Sequence, residues 1–318
     1  MEAERIIFDA AVGDGNKIAA FISPSAVDPA ELKGVFQICH GMSDHYGRYD
    51  EMIEYLNEAG WHVCGMDMLG HGQTYGLNED NEMPKGYFGD EADSELCILR
   101  DEMELHRIVK DRYGRDLSYV LYGHSMGSFV VRNIYITPDY AKEFDRFIFS
   151  STMGPNMAVG FGIFLARLCC LMGLKKKPGR LVNKIAFSQY NKQIEDAKTD
   201  YDWLTRDDSE VQKFIADEMC VFTFTYKGFM DLFKLVRRQQ SAKAYRKLPN
   251  KPVFLVYGDD DPVGDYGEGV RKVIDRLEEA GAQVNSKDYG HFRHELHHES
   301  VRRELFDDIV KFAEGHFE

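Results

Sequence analysis

Residues 117–127 read Leu-Ser-Tyr-Val-Leu-Tyr-Gly-His-Ser-Met-Gly, an apolar run that passes straight into Gly123-His124-Ser125-Met126-Gly127. Leu117–Tyr122 has the length and composition of a buried strand, and Met126–Thr137 reads as a helix. A G-x-S-x-G between strand and helix sets the serine on a strained turn, its hydroxyl projecting from the sheet edge. The glycines two residues to either side leave room for the chain to turn and pack. The following helix adds its positive N-terminal end. Ser125 is the candidate nucleophile.

Strands and helices alternate on both sides of this stretch. Strand-like runs lie at Ile6–Ala11, Lys17–Ile22, Val35–Cys39, His62–Met66, Ser118–Tyr122, Arg146–Ser150, Val253–Tyr257 and Val284–Tyr289. From the third onward, helix-length stretches separate them, among them Asp50–Ala59, Glu91–Tyr113 and, at the end, Glu299–Glu314. The pattern predicts an α/β fold with a mostly parallel eight-stranded sheet and helices on both faces. The first two strands, joined by Gly13-Asp14-Gly15-Asn16, read as an antiparallel hairpin at the sheet's edge. Between Ser150 and Pro252 no strand appears. Instead Phe161–Leu174, Arg180–Asn191 and Phe214–Gln239 read as helices of a cap inserted over the carboxyl edge. The expected organisation is a core of residues 1–151 and 248–318 interrupted by a cap of residues 152–247.

The 318 residues are 44% hydrophobic, enough for a packed core, and carry a net charge of −14 that would repel a nucleic acid. The six cysteines show neither a CxxC pair nor zinc-ligand spacing, and suit a reduced thiol population. The opening MEAERIIFDA has acidic residues where a secretory signal needs basic ones before an apolar stretch. No segment reaches the roughly 20 uninterrupted apolar residues of a spanning helix. A soluble, cytoplasmic protein is expected.

A serine nucleophile needs a base, and the base an orienting carboxylate, in the chain order Ser, Asp or Glu, His. Gly258-Asp259-Asp260-Asp261-Pro262-Val263 follows one late strand, and Gly290-His291-Phe292-Arg293-His294-Glu295 follows the last, with His297 and His298 beyond. Spacing alone leaves three aspartates and several histidines open. No matching carboxylate spacing accompanies the histidine cluster, so no metal is expected.

Four motifs in order carry a resemblance. They are His40-Gly41-Met42-Ser43-Asp44-His45, Asp67-Met68-Leu69-Gly70-His71-Gly72, the Gly123–Gly127 turn, and the paired acid and base loops. The chain resembles the monoacylglycerol lipase and lysophospholipase group of α/β-hydrolases, serine hydrolases related to the serine aminopeptidases. The family acid pattern G-x-x-D-x-V selects Asp261, and the base pattern R-H-E selects His294. The resemblance implies a Ser125–His294–Asp261 triad, with an oxyanion hole from the backbone N–H groups of Met42 and Met126 and no cofactor. Gly41, His45 and His124, beside these groups, are the candidate substrate-binding residues, with Tyr46 near the entrance. His40, His71 and His124 also read as structural histidines in glycine-flanked turns, and Asp67 as the holder of its loop.

Cap residues such as Phe161, Phe164, Leu165, Leu168, Phe222, Phe224, Phe229, Phe233 and Leu235 suit an acyl chain, and equally helix-on-helix packing. A lipophilic monoester, monoacylglycerol-like or lysophospholipid-like, is the expected substrate. The basic run Lys175-Lys176-Lys177-Pro178-Gly179-Arg180, directly after the most apolar cap segment, reads as a solvated loop or a transient membrane contact. An amidase or thioesterase would use the same machinery. An aminopeptidase would need the cap carboxylates Glu195, Asp196, Asp217 and Glu218 to face the site. A catalytically silent binding protein usually lacks a triad residue, and none is missing here.

Overall fold

The computed structural model describes residues 3–195 and 197–317. Eight strands run in chain order: β1 (Glu4–Asp9), β2 (Lys17–Ser23), β3 (Gly34–Cys39), β4 (Trp61–Met66), β5 (Ser118–His124), β6 (Arg146–Ser150), β7 (Val253–Tyr257) and β8 (Val284–Asp288). They form one sheet of order β1-β2-β4-β3-β5-β6-β7-β8. The hairpin β1–β2 is antiparallel and joins β4 antiparallel, whereas every later pairing is parallel. This is the expected α/β-hydrolase architecture, edge hairpin included.

Before the insertion the α-helices are α1 (Asp50–Glu58), α2 (Gly72–Leu77), α3 (Ser94–Tyr113), α4 (Met126–Tyr135) and α5 (Pro138–Ala141). The period-2 alternation of β3 shows why the sheet is covered twice. Val35 and Cys39 belong to a core built with Leu99 and Leu105 of α3 and Val130 and Ile134 of α4. Phe36 and Ile38 belong to the opposite core, with Met52 and Leu56 of α1. The chain between β6 and β7 carries α6 (Ala158–Cys169), α7 (Arg180–Phe187), α8 (Asp208–Ala216) and α9 (Tyr226–Gln240). After β7, α10 (Glu268–Glu279) covers the first face and α11 (Arg302–Ala313) the second.

The single helix expected over Phe214–Gln239 is two. α8 stops at Ala216 and α9 starts at Tyr226, where the Thr225 hydroxyl accepts a hydrogen bond from Gly228 N (3.0 Å) and caps the new helix. The intervening loop is tied to the core, its Phe222 carbonyl accepting from the Ser43 hydroxyl (3.0 Å). α9 packs on α6 within the cap and also on core helices. Asn133 of α4 donates to the Leu235 carbonyl (3.1 Å), and Ser94 of α3 donates to Asp231 (2.8 Å). Among the described residues no helix is long and apolar enough to cross a membrane.

One core residue carries a pH signature. Gln37 of β3 faces α3, and its Nε2 donates to the fully buried Glu102 carboxylate (2.6 Å). Burial pushes that carboxyl up to about 7. The folded state therefore holds the proton more tightly than the unfolded chain. The resulting stability is complete below the unfolded carboxyl range and is lost as pH rises through about 7. Glu102→Gln removes the charge. It should come within about 1 kcal/mol of the parent in a denaturant melt at pH 5 and exceed it at pH 8 by up to about 3 kcal/mol. Equal stability of the two proteins at pH 8 would refute this account.

Candidate active site

Ser125 sits between β5 and α4 with φ +52° and ψ −118°. A non-glycine residue there carries roughly 1–3 kcal/mol of strain that its surroundings must hold. Ser125 N donates to the Ser150 carbonyl (3.0 Å), and the Ser125 carbonyl accepts from Ser128 N (2.9 Å) and the Ser128 hydroxyl (2.6 Å). The flanking glycines are steric necessities. A Cβ on Gly123 would lie 2.4 Å from the Gly127 carbonyl oxygen, and one on Gly127 would lie 2.0 Å from that of Cys39. That crowding brings the end of β3 against the start of α4.

The segment after β3 consequently lies beside the serine: a Cβ placed on Gly41 would lie 3.5 Å from that of Ser125. The backbone amides of Met42 and Met126 donate to no other described group. Asp44 shapes the loop, accepting from Gly41 N (3.0 Å), His45 N (2.8 Å) and the Tyr49 hydroxyl (2.8 Å). Burial opposes its ionisation, but the Arg48 guanidinium 3.2 Å away and neighbouring imidazoles hold the carboxyl well below the usual range. Arg48 also grips Glu295 through two 2.7 Å bonds, joining this loop to the one after β8. The second family loop buttresses the arrangement. His40 Nε2 accepts from Met68 N (2.9 Å), and Asp67 accepts from Tyr46 N (2.8 Å) and Gln73 N (2.7 Å). His71 is buried among Phe88, Phe222 and Phe224, and burial pushes it down to about 3.

Of the three aspartates, the fully buried Asp261 reaches a histidine inside the molecule. His294 Nδ1 lies 2.9 and 3.0 Å from its two carboxylate oxygens. Val263 N donates to Asp261 Oδ1 (2.9 Å), and the Ser151 hydroxyl anchors the His294 carbonyl (2.6 Å). Asp259 and Asp260 instead meet His291, whose side chain is 83% exposed, at 3.1 and 3.8 Å. His297 is buried and His298 partly so, and desolvation pushes the latter down to about 3.

Ser125 and His294 open on one cavity of about 780 Å³. Beneath the cap its walls are mainly apolar, with Phe129, Met153, Val159, Phe187, Trp203 and Phe214 joined by Phe161, Leu165, Phe222 and Phe233. The Ser125 hydroxyl has no hydrogen-bond partner among the described residues, and such contacts commonly tighten only when substrate is bound. Gly41 and His124 line the cavity. His45 does not. Its Nε2 faces Asp217 at 2.8 Å, and Tyr46 stacks on Phe21 away from the opening. Phe224, Phe229 and Leu235 are core residues, while Phe164 and Leu168 point to solvent. Trp203, whose ring centre is 5.0 Å from that of His294, lies in an irregular segment where no periodic pattern marks it. Neither Glu195, Asp217 nor Glu218 lines the cavity, and Asp196 lies outside the described residues.

A strained serine at a strand end, over a cavity shared with an aspartate-held imidazole, on this sheet, defines a serine hydrolase of the α/β-hydrolase class. The family model described as "Serine aminopeptidase, S33" (Hydrolase_4) matches residues 30–301, and the chain belongs to that family. It is 26% identical over 286 residues to a monoacylglycerol lipase of Mycolicibacterium smegmatis, covering 89% of each chain. It is 23% identical to the phospholipase YtpA of Bacillus subtilis, over 88% of this chain and 95% of that one. A thermostable carboxyl esterase from Bacillus coagulans, solved in complex with glycerol, superposes with a TM-score of 0.89 at 28% identity, over 99% of each chain.

Proposed function

We propose that the protein is a carboxylic ester hydrolase for lipophilic monoesters of the monoacylglycerol or lysophospholipid kind. The observation that carries this reading is the largely apolar cavity directly above Ser125 and His294. In this mechanism the Ser125 hydroxyl attacks the ester carbonyl while His294 Nε2 takes its proton. Asp261, at 2.9 Å from Nδ1, holds the tautomer and stabilises the imidazolium. The Met42 and Met126 amides receive the oxyanion, an interaction whose single donors are each worth about 10²–10³ in rate. The intermediate collapses, the alcohol leaves with the proton from His294, and water activated by the same imidazole releases the acid and frees Ser125.

An aminopeptidase reading has less support, because Asp217 is engaged by His45 and the other described cap carboxylates named above stand outside the cavity. Access from a lipid surface fits the cap's outer face. Phe164, Leu168, Leu171 and Met172 are exposed on the cap and do not line the cavity, and Arg167, Lys177 and Arg180 of the same segments are exposed too. This pairing of apolar and cationic side chains is complementary to an anionic membrane. The six free thiols suit the reducing cytoplasm.

Acyl-chain profiling tests the proposal. kcat/KM on soluble monoacyl esters should rise by up to about fourfold per added methylene until the cavity is filled. Lysophospholipids should be turned over far better than aminoacyl amides. Phe164→Glu combined with Leu171→Glu should depress turnover of ester embedded in anionic vesicles while sparing soluble ester. A flat chain-length profile, or a preference for aminoacyl amides, would reject the lipophilic monoester.

A further inference from the structure

Beneath the serine turn, three internal side chains from two distant parts of the chain converge. His124 precedes Ser125, Glu295 follows His294, and His297 lies in the short 3-10 turn beyond. Each offers a ligand atom, and the three atoms lie within 4.8 Å of one another. All are buried, at 2%, 3% and 3% exposure. The imidazoles of His124 and His297 stand edge to face with centres 4.7 Å apart.

Their hydrogen bonding is incomplete. His124 Nδ1 and both ring nitrogens of His297 have no partner among the described residues. Each such buried atom costs about 1–3 kcal/mol unless something meets it. Burial drives the protonation of both rings well below its usual range, which keeps them in the neutral, ligating form. Two neutral imidazoles and a carboxylate make the donor set of a borderline-soft divalent cation. Glu295 is bound by Arg48, yet a carboxylate has about four lone-pair sites and retains acceptor capacity. The surrounding charges favour a cation, since two carboxylates, Asp44 and Glu295, face the single guanidinium of Arg48. An entry path exists because His124 and Glu295 line the cavity.

We propose that His124, Glu295 and His297 form an inhibitory site for a zinc-class divalent cation, completed by a solvent ligand from the cavity. Zinc bonds of about 2.0–2.2 Å would draw the three ligands inward, and with them the backbone next to Ser125 and His294. The dication would also stand close to His294, whose ring centre is 4.8 Å from that of His124, and would oppose the imidazolium that must form there. The inhibitory consequence rests on the ester-hydrolase reading, whereas binding does not.

Metal-stripped protein should bind one equivalent of Zn²⁺ in competition with a chromogenic chelator, and Co²⁺ should give visible bands of low-coordinate nitrogen–oxygen ligation. Saturating Zn²⁺ should lower p-nitrophenyl ester turnover at least tenfold, reversibly with EDTA. His297→Gln should lose both the binding and the zinc sensitivity while keeping its metal-free turnover. His291→Ala, which dismantles the exposed Asp259–Asp260–His291 cluster, should retain both. If His297→Gln does not fold, Glu295→Gln is read by metal binding alone and should bind none. Stoichiometric binding that survives loss of His297 or Glu295, binding that disappears with His291, or no binding by the wild type would each overturn the proposal. Binding without inhibition would instead remove the ester-hydrolase premise or the inhibitory role, and Ser125 labelling by a fluorophosphonate separates the two.

Discussion

Ser125→Ala is expected to lose p-nitrophenyl ester turnover by about 10⁴-fold or more, together with all labelling by a fluorophosphonate. The loss should be chemical rather than structural. Alanine meets the same backbone strain at φ +52° as serine, and the strain-holding bonds use the residue's N–H and carbonyl, not its hydroxyl. Thermal unfolding of the variant should therefore track the parent closely. Residual catalysis over the uncatalysed reaction should persist, because the two methionine amides remain in place to polarise a bound carbonyl. Turnover undiminished in a folded Ser125→Ala protein would end the serine-nucleophile mechanism.

The second large effect separates two histidines of one loop. His294→Ala should cost about 10⁴-fold in kcat with little change in KM, since it removes proton transfer and not substrate contact. His291→Ala should stay within about twofold of the parent, in line with the small effect usual at exposed sites. The geometric reason is direct. The imidazole of His294 has its Nδ1 held by a buried carboxylate, while that of His291 is 83% exposed against two loop aspartates. If His291→Ala were the inactive variant and His294→Ala the active one, the base would have been assigned to the wrong ring.

Features that depend on neighbours in sequence are legible in the sequence itself. The parallel strands announce themselves as short apolar runs because both faces of the sheet are covered. The serine turn does so because Gly123 and Gly127 are required by contacts only a few bonds away. Choosing Asp261 among three aspartates required family likeness, since burial beneath His294 is a tertiary property. The position of His45 is not legible in the same way, because its partner, Asp217, is 172 positions along the chain. The break between α8 and α9 was hidden for the same reason. The apolar rhythm carries on through Phe222 and Phe224, while the Ser43 hydroxyl, from the far end of the sequence, fixes the local path. Cavity walls such as Trp203 and Met153 come from irregular segments, where side-chain direction follows no period.

The roof over the cavity is not fastened only at its two chain ends. Phe222 is tied to Ser43, Asp217 to His45, and the Leu204 carbonyl to Glu295 N at 2.7 Å, so it touches both loops that flank the nucleophile. Chimeras that exchange roofs among relatives to retarget this scaffold would thus also retune the reaction centre. Swaps confined to α6 and α7, leaving 204–222 native, offer the cleaner route to new selectivity at constant chemistry.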